Sequence, residues 1–597
     1  MLRYSPGLPS RSVFLTSRNI SRRPCSSPLL LPAPRACAHT ASTSNRNTGS
    51  IPGPFWLLAL TASGGLGYAI ARYTQEPPVP KAAEPTFGTP EDFAHAIEEL
   101  KGALEKGSVS TDREDLFIHG FSANDHHPDA PHSVVVYPSS TEDVVKIVKI
   151  ATKHRMPVTP YSGATSLEGH YRGHSTGGIC VDMNNMDKIL EIHEADSDLV
   201  CQPAAGWMDI NDTLKQKGIP LFFPIDPAPS ATIGGMLSTG CSGTNAVRYG
   251  TAKGEWFLNA TVVLPSGEVI KTRRRSRKSS AGFDTTKLFI GAEGTLGIVT
   301  EVTIRLAPLL PTSVAVVQFP DVRKATEAVR EVMNRGVGIQ CVELVDDEFI
   351  RATNKLGMSK RKWPVKDSLF FKFQGHSKES LKDTARVVKE VVEQARFGGT
   401  GFQVAHDEQE ASDIWADRKN AHYSSLALIE GSKGWPTDVC VPVSKLPDLV
   451  YDTKKDLAEF GLVSTIVGHV GDGNFHALIL FKTDEEKAKA EQVIHRMVKR
   501  AISMDGTCTG EHGVGIGKKE YLVEELGAGT VKLMRTIKDA IDPLGLFNPG
   551  KASNSYKELL VSLLMFVCTF NSFIRRGRRT RRSLEVARID ITFQTTP

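Results

Sequence analysis

One nine-residue stretch, Gly468-His469-Val470-Gly471-Asp472-Gly473-Asn474-Phe475-His476, constrains this 597-residue chain more tightly than any other. Asp-Gly at 472–473 is a two-residue hairpin signal, and the flanks 464–467 and 477–481 are rich in β-formers. A hairpin closed there pairs 471 with 474, 470 with 475 and His469 with His476. The two imidazoles then face each other with Cβ atoms about 5 Å apart. Such a pair can share one divalent metal. A second stretch, Thr509-Gly510-Glu511-His512-Gly513-Val514-Gly515, offers a carboxylate and another histidine in a sterically open segment. The pattern predicts a metal held by His469, His476 and Glu511, with His512 doing proton chemistry beside it. The alternative is a structural hairpin whose histidines are only hydrogen-bonded.

The formal charge of +5 belongs to the ends. Residues 1–50 carry +7 and residues 571–597 carry +5, which leaves −7 between them. A mildly acidic body argues against a nucleic-acid enzyme and suits a basic protein partner. The nine cysteines show no Cys-x-x-Cys, so neither a disulfide framework nor a zinc knuckle is indicated.

No acidic residue precedes Glu76, while seven arginines lie among many serines in 1–50, the composition of a mitochondrial transit peptide. Residues 51–71 are uncharged and apolar, long enough for one membrane span or a second part of the sorting signal. A presequence followed by a span predicts an inner-membrane anchor with the catalytic body in the intermembrane space. A proline-rich linker covers 77–90, and a helix over about 90–106 starts the folded part.

From residue 131 the pattern is α/β. A strand over 133–137, a helix over 141–154 and a strand over 158–160 lead into Tyr161-Ser162-Gly163-Ala164-Thr165-Ser166. Small residues let successive backbone N–H groups point at one anion, such as a pyrophosphate. Further strands are expected at 179–183 and 199–202. A second small-residue region runs from Asp226 through Thr232, Gly234 and Gly235 to Thr239 and Ser242. A third is Gly291-Ala292-Glu293-Gly294-Thr295-Leu296-Gly297-Ile298-Val299. Three such regions suggest a long ligand threaded through backbone, as a dinucleotide would be. No Gly-x-Gly-x-x-Gly follows a strand, which argues against a Rossmann NAD domain.

These segments, with Gly-Glu-Gly-Thr-Leu-Gly and His-x-Gly-Asp-Gly-Asn-x-His as the most specific patterns, resemble the FAD-linked D-2-hydroxy-acid dehydrogenase branch of the vanillyl-alcohol oxidase superfamily. The resemblance runs from about residue 110 to Lys551. It implies an α+β chain: a two-subdomain FAD-binding domain over 110–310, and a ferredoxin-like substrate (cap) domain with the metal site over 311–551. Pro160, Tyr161, Ser162, Gly163, Ala164, Thr165 and Ser166 would wrap the pyrophosphate. Asp226, Thr232, Gly234, Gly235, Thr239, Ser242, Glu293, Gly294, Gly297, Ile298 and Val299 would complete the cofactor site. Some relatives attach flavin through a histidine in the first loop; Ser162-Gly163-Ala164 has none, so FAD is expected to be non-covalent.

In the cap, strands at 313–319 and 368–373 and helices at 322–335 and 377–394 are expected. A helix over 413–429 carries Arg418, suited to hold a substrate carboxylate bidentately or else to pair with Asp417 at the surface. The resemblance favours the carboxylate, and it adds His422 and Lys433 as substrate-binding residues. The implied reaction is FAD-dependent oxidation of D-lactate to pyruvate, with electrons passed to cytochrome c. Alternatives are D-2-hydroxyglutarate or glycolate as substrate, or a non-catalytic flavin electron-transfer or assembly factor with a structural metal. Zn²⁺ suits the His₂Glu set, with Mn²⁺ or Fe²⁺ open. Relatives stop soon after a motif like Leu546–Lys551, whereas here a basic tail over 552–597 follows, to which no function is assigned.

Overall fold

The computed structural model describes residues 86–122 and 125–552. The expected transit peptide, the 51–71 span, most of the linker and nearly all of the basic tail lie outside the described residues. Among the described residues no helix is long and apolar enough to cross a membrane.

The folded part opens with a helix at Pro90–Ala103, capped by Thr89 in a reciprocal capping box with Asp92. Four strands follow, β1 (Val109–Ser110), β2 (Val134–Val136), β3 (Val158–Tyr161) and β4 (Ile179–Asp182), in the order β1-β2-β4-β3. β2, β4 and β3 run parallel. Parallel neighbours need a crossover, and the helix Thr141–Lys153, capped by Ser140, lies between β2 and β3. Its buried Val144, Ile147, Val148 and Ala151 repeat at helical spacing.

The next group comprises β5 (Ile189–His193), β6 (Asp198–Cys201), β7 (Leu221–Phe222), β8 (Phe257–Val263), β9 (Val269–Lys271), β10 (Ile298–Arg305) and β11 (Ala307–Pro308). Five of them form an antiparallel sheet, β5-β6-β10-β8-β9, and β7 pairs with β11.

The cap is built on β12 (Thr312–Gln318), β13 (Ile339–Val345), β14 (Ser368–Gln374), β15 (Thr400–Val404), β16 (Lys433–Pro436), β17 (Val439–Cys440), β18 (Ser464–Gly468) and β19 (Asn474–Phe481). Its order is β15-β12-β14-β13-β18-β19-β16, with β17 also on β19. The first four strands stand in the 4-1-3-2 order of a split βαβ unit, the expected ferredoxin-like arrangement. The helix Val322–Met333 shows why this layer forms. Asp321 accepts the Lys324 N–H at its start, and Val322, Ala325, Val329 and Val332 are all buried in the same cluster as Phe371 and Phe373 of the sheet. Burying one valine contributes roughly 1.5–3 kcal/mol, so Val329→Asp would break the layer.

Two expectations need correction. The hairpin pairs Val467 with His476, two residues away from the predicted register. A four-residue loop, 470–473, replaces the two-residue turn: the His469 carbonyl accepts from both Asp472 N and Asn474 N, and Gly473 takes φ +81°. A type I turn closed by a left-handed residue is the preferred form for loops of this length. Because the slip is an even number, His469 and His476 stay on one face as diagonal neighbours, ring centroids 5.4 Å apart. The second correction concerns the helix expected over 413–429. It is two helices, Glu408–Lys419 and Ala421–Leu426, broken at Asn420.

Candidate functional site

Four segments converge on one cavity of about 420 Å³ between the flavin-type domain and the cap. Pro160 to Ser166 line one wall, Asp226, Thr232, Gly234, Gly235 and Thr239 a second, and Glu293, Gly294, Gly297, Ile298 and Val299 a third. The cap contributes Arg418, His422, His469, His476, Glu511 and His512. Ser242 is not a wall residue, but its hydroxyl donates to Glu511 Oε2 at 2.6 Å and ties the two domains at the metal-type site. Lys433 does not reach the cavity. It is an exposed residue of β16, paired with Phe481, and the substrate-binding expectation for it is set aside.

The small residues of the first loop are needed for contact. A Cβ on Gly163 would sit 2.6 Å from the Ser230 carbonyl, and Ala164 takes a left-handed φ of +50°. Thr232 and Ser162 share a hydroxyl–hydroxyl bond of 2.8 Å that closes the wall. Ser166 Oγ, His170 Nδ1 and Asn548 Oδ1 are buried without hydrogen-bond partners, and all three residues line the cavity. Buried polar atoms are rarely left unpaired, so these orphans fit a polar ligand such as FAD. Two predicted cofactor residues turn their carboxylates elsewhere. Asp226 accepts from Thr244 Oγ1 and Asn245 N, while Glu293 accepts from Val514 N at 2.6 Å and Gly515 N at 2.9 Å. Glu293 therefore clamps the segment that carries Glu511 and His512.

The metal-type constellation follows from strand register. β13 pairs with β18 at Leu344–Gly468 and Val345–Val467, so one step further sets Glu343 opposite His469. The Glu343 oxygens lie 2.9 and 3.0 Å from His469 Nδ1. His476 Nδ1 lies 3.0 Å from the Thr437 carbonyl. With both Nδ1–H groups donated, both Nε2 lone pairs aim at Glu511 Oε1, at 3.2 Å from His469 and 3.1 Å from His476. Three acceptors converging with no donor between them are the signature of ligands around a cation, with the Nδ1 partners fixing the tautomers. Proton sharing is the alternative: burial opposes charging His469, but Glu343 and Glu511 outweigh it and hold its pKa well above the usual value. Likewise burial would raise the Glu511 pKa, and His469 and His476 pull it well below the ordinary range. Either way the geometry calls for positive charge at one point, and the residue types fit a divalent ion.

Asp438, His476 and His512 also lie close enough to hold a metal. Asp438, however, is saturated. Its Oδ2 accepts from Thr509 Oγ1, Glu511 N and His512 N at 2.8–2.9 Å, and its Oδ1 accepts from Asn474 Nδ2. Burial alone would raise its pKa, but the neighbouring histidines bring it down to about 2. Its work is to anchor the Glu511-His512 backbone. His512 stacks on His476 at 5.0 Å, and its Nδ1 is buried without a partner. Burial lowers its pKa against the pull of Asp438, so the ring is neutral at physiological pH.

Arg418 is buried, and its Nη2 donates to Glu343 Oε2 at 2.6 Å while Nε has no partner. The expected alternative pairing with Asp417 does not occur, because Asp417 accepts from Ser359 Oγ and Trp363 Nε1. His422 lines the cavity with Nε2 unpartnered, and burial lowers its pKa. Sequence reasoning missed Glu343, Asp438 and the role of Ser242.

Comparison with known proteins agrees with this architecture. The FAD binding domain family matches residues 132–273, and the C-terminal domain family of FAD linked oxidases matches 311–552. The chain is 41% identical over 464 residues to the mitochondrial D-lactate dehydrogenase [cytochrome] of Arabidopsis thaliana, covering 76% of this chain and 79% of that one. It is 42% identical over 469 residues to mitochondrial D-lactate dehydrogenase [cytochrome] 1 of Saccharomyces cerevisiae, again covering 76% and 79%. Among solved structures, 4-ethylphenol oxidase from Gulosibacter chungangensis superposes with a TM-score of 0.65 at 19% identity, over 79% of this chain and 98% of that one, which shows the shared fold. The chain belongs to the FAD-linked oxidoreductase family of the vanillyl-alcohol oxidase type.

Proposed function

We propose that this protein oxidises D-lactate to pyruvate and passes the electrons singly to cytochrome c in mitochondria, with its body facing the intermembrane space from the inner membrane. The balance is D-lactate plus two ferricytochrome c giving pyruvate, two ferrocytochrome c and two protons. The observation that carries the reading is the convergence of His469 Nε2, His476 Nε2 and Glu511 Oε1 beside the neutral His512, in the cavity that the flavin-type loops line. The names of the relatives supply the substrate, the acceptor type and the compartment.

FAD held non-covalently by the 160–166, 226–242 and 293–299 segments supplies the two-electron acceptor, and a divalent ion held by His469, His476 and Glu511 supplies Lewis-acid polarisation at the C2 oxygen. Zn²⁺ suits the donor set, with Mn²⁺ and Fe²⁺ the competitors. Arg418 fixes the substrate carboxylate through the N–H groups left free by Glu343. His512 accepts the hydroxyl proton on a ring nitrogen, which its lowered pKa keeps unprotonated near neutrality. His422 offers a neutral imidazole to the same substrate. Lys433 lies outside the cavity while Lys419 lines it, so Lys419 is the cation that a second substrate carboxylate would meet.

Anaerobic stopped-flow mixing of the purified protein with D-lactate, L-lactate, D-2-hydroxyglutarate and glycolate tests this. Fast bleaching of the flavin by D-lactate alone is the expected result. Faster bleaching by D-2-hydroxyglutarate would move the substrate, and no bleaching by any would overturn the dehydrogenase reading.

A further inference from the structure

The helix Arg113–Gly120 separates the cavity wall from solvent. On its inner side His119 is buried, 4.5 Å ring to ring from Tyr161, which lines the cavity. On its outer side Phe117 is 52% exposed and Ile118 51%, and Phe121 just past its end is 38% exposed. Phe117 and Phe121 stack on each other, centroids 5.1 Å apart and 16° from parallel, instead of packing into the core. A second link runs from Phe121, whose carbonyl accepts from Tyr171 Oη at 3.5 Å, through the Tyr171 ring to Tyr161 at 5.3 Å. An α-helix with its side chains is only about 10–12 Å across. The surface above this helix is therefore one helix thickness from the cavity wall.

Clustered apolar side chains on a surface mark interaction sites. The charges around these are acidic: Asp112 and Glu114 are exposed and Asp115 half-buried, against Arg113 alone on the same helix. Asp129 in the following loop is occupied by Arg172. An apolar centre with an acidic rim matches a small basic protein, and it disfavours an anionic lipid surface, which the carboxylates would repel.

We propose that the outer face of the helix Arg113–Gly120, with Phe117, Ile118 and Phe121 at its centre and Asp112 and Glu114 on its rim, is the docking surface for the one-electron acceptor, a small basic haem protein. The assignment rests on the oxidoreductase function proposed above and adds where the partner sits. Electron tunnelling decays exponentially with distance, so an exit surface must lie where the wall is thin. The aromatic groups Tyr161, His119 and Tyr171 occupy that thin section. Each docked haem iron is reduced by one electron, and two successive partners take the pair released by one substrate molecule.

The test uses the full-length holoenzyme and two variants, Phe117→Ser/Phe121→Ser and Glu114→Lys. Four quantities are measured: flavin bleaching by D-lactate alone, reoxidation of the reduced flavin by ferricytochrome c, binding of ferricytochrome c to immobilised holoenzyme at low ionic strength, and flotation of the holoenzyme with vesicles containing anionic phospholipid. Both variants should bleach at the wild-type rate, while reoxidation and binding fall about tenfold or more, as loss of a small interface centre or a rim charge predicts. Added salt should weaken wild-type binding and leave Glu114→Lys little changed. Wild-type reoxidation and binding in both variants would overturn the proposal. So would loss of vesicle flotation in the variants with cytochrome binding intact, which would make this a lipid-facing patch. If D-lactate fails to bleach even the wild type, the functional reading fails, and the binding measurement still decides the docking surface.

Discussion

Glu343 and His469 face each other across adjacent strands, with the carboxylate 2.9 Å from Nδ1, and the same carboxylate holds Arg418 at 2.6 Å. One buried acid thus orients a metal-type ligand and the cation assigned to the substrate carboxylate. Substituting Glu343→Gln keeps the shape but removes the charge that fixes the His469 tautomer. Loss of such an outer partner typically costs 10–100-fold in metal affinity. We expect metal retained after dialysis against a chelator, measured by elemental analysis, to fall by about that factor. KM for D-lactate should rise as well, because Arg418 loses its fixed direction. Unchanged metal content and KM would count against the shared anchor.

His512 gives a prediction with a sign. Its pKa is lowered by burial, with Asp438 opposing, so the proton-accepting form persists to below the ordinary histidine value of about 6.5. A base must be unprotonated to act, and protonation increases as pH falls. The rate of flavin bleaching by saturating D-lactate should therefore be flat above about pH 6.5 and decline only on the acid side. His512→Ala should abolish that acid limb and lower the rate by about 10²–10⁴, with the FAD absorbance retained. A variant that keeps both the limb and the rate would assign the base elsewhere.

The parts of this site that were legible in the sequence are those carried by local pattern. His469, His476, Glu511 and His512 lie in two short glycine-rich motifs, and the three cofactor loops announce themselves by small residues. Glu343 and Asp438 were not legible. Each is a single acid with no local motif around it, Glu343 inside the buried strand β13 and Asp438 in the short gap between β16 and β17, and its purpose appears only when a distant segment supplies the partner. For Glu343 a charge in the middle of a buried strand was the available signal. The hairpin register failed because Asp472-Gly473 serves equally well as the end of a four-residue loop, with Gly473 taking the left-handed position. The face of the histidines survived because the slip was even.

The first flavin-type loop contains no histidine or cysteine between Pro160 and Ser166. His170 and His422 line the same cavity, so attachment is a fair test and not a formality. We expect acid precipitation to release all the flavin into the supernatant, measured by its absorbance there. Yellow colour retained in the washed pellet would locate a covalent bond, and His170→Ala and His422→Ala would then show where.

Stability should carry its own pH signature through His132, a buried residue outside the catalytic cluster. Burial pushes its pKa down to about 4, against the Tyr171 carbonyl 3.0 Å from Nε2 that would favour the charged form. In the unfolded chain the value is about 6.5. Between those two values the unfolded state binds a proton that the native state refuses. Stability therefore falls as pH drops through that window and is fully recovered above it. The slope is about 1.4 kcal/mol per pH unit for one such group, so moving from pH 7 to pH 5 costs about 2 kcal/mol. His132→Gln preserves a donor for the carbonyl but cannot titrate. The difference between wild-type and variant urea midpoints, each measured at pH 7 and pH 5, isolates this residue from the carboxylates that titrate in both proteins. The variant should lose less stability on acidification than the wild type. Parallel losses would show that the native ring takes up its proton near the ordinary value, and that the pocket around Tyr171 admits the charge.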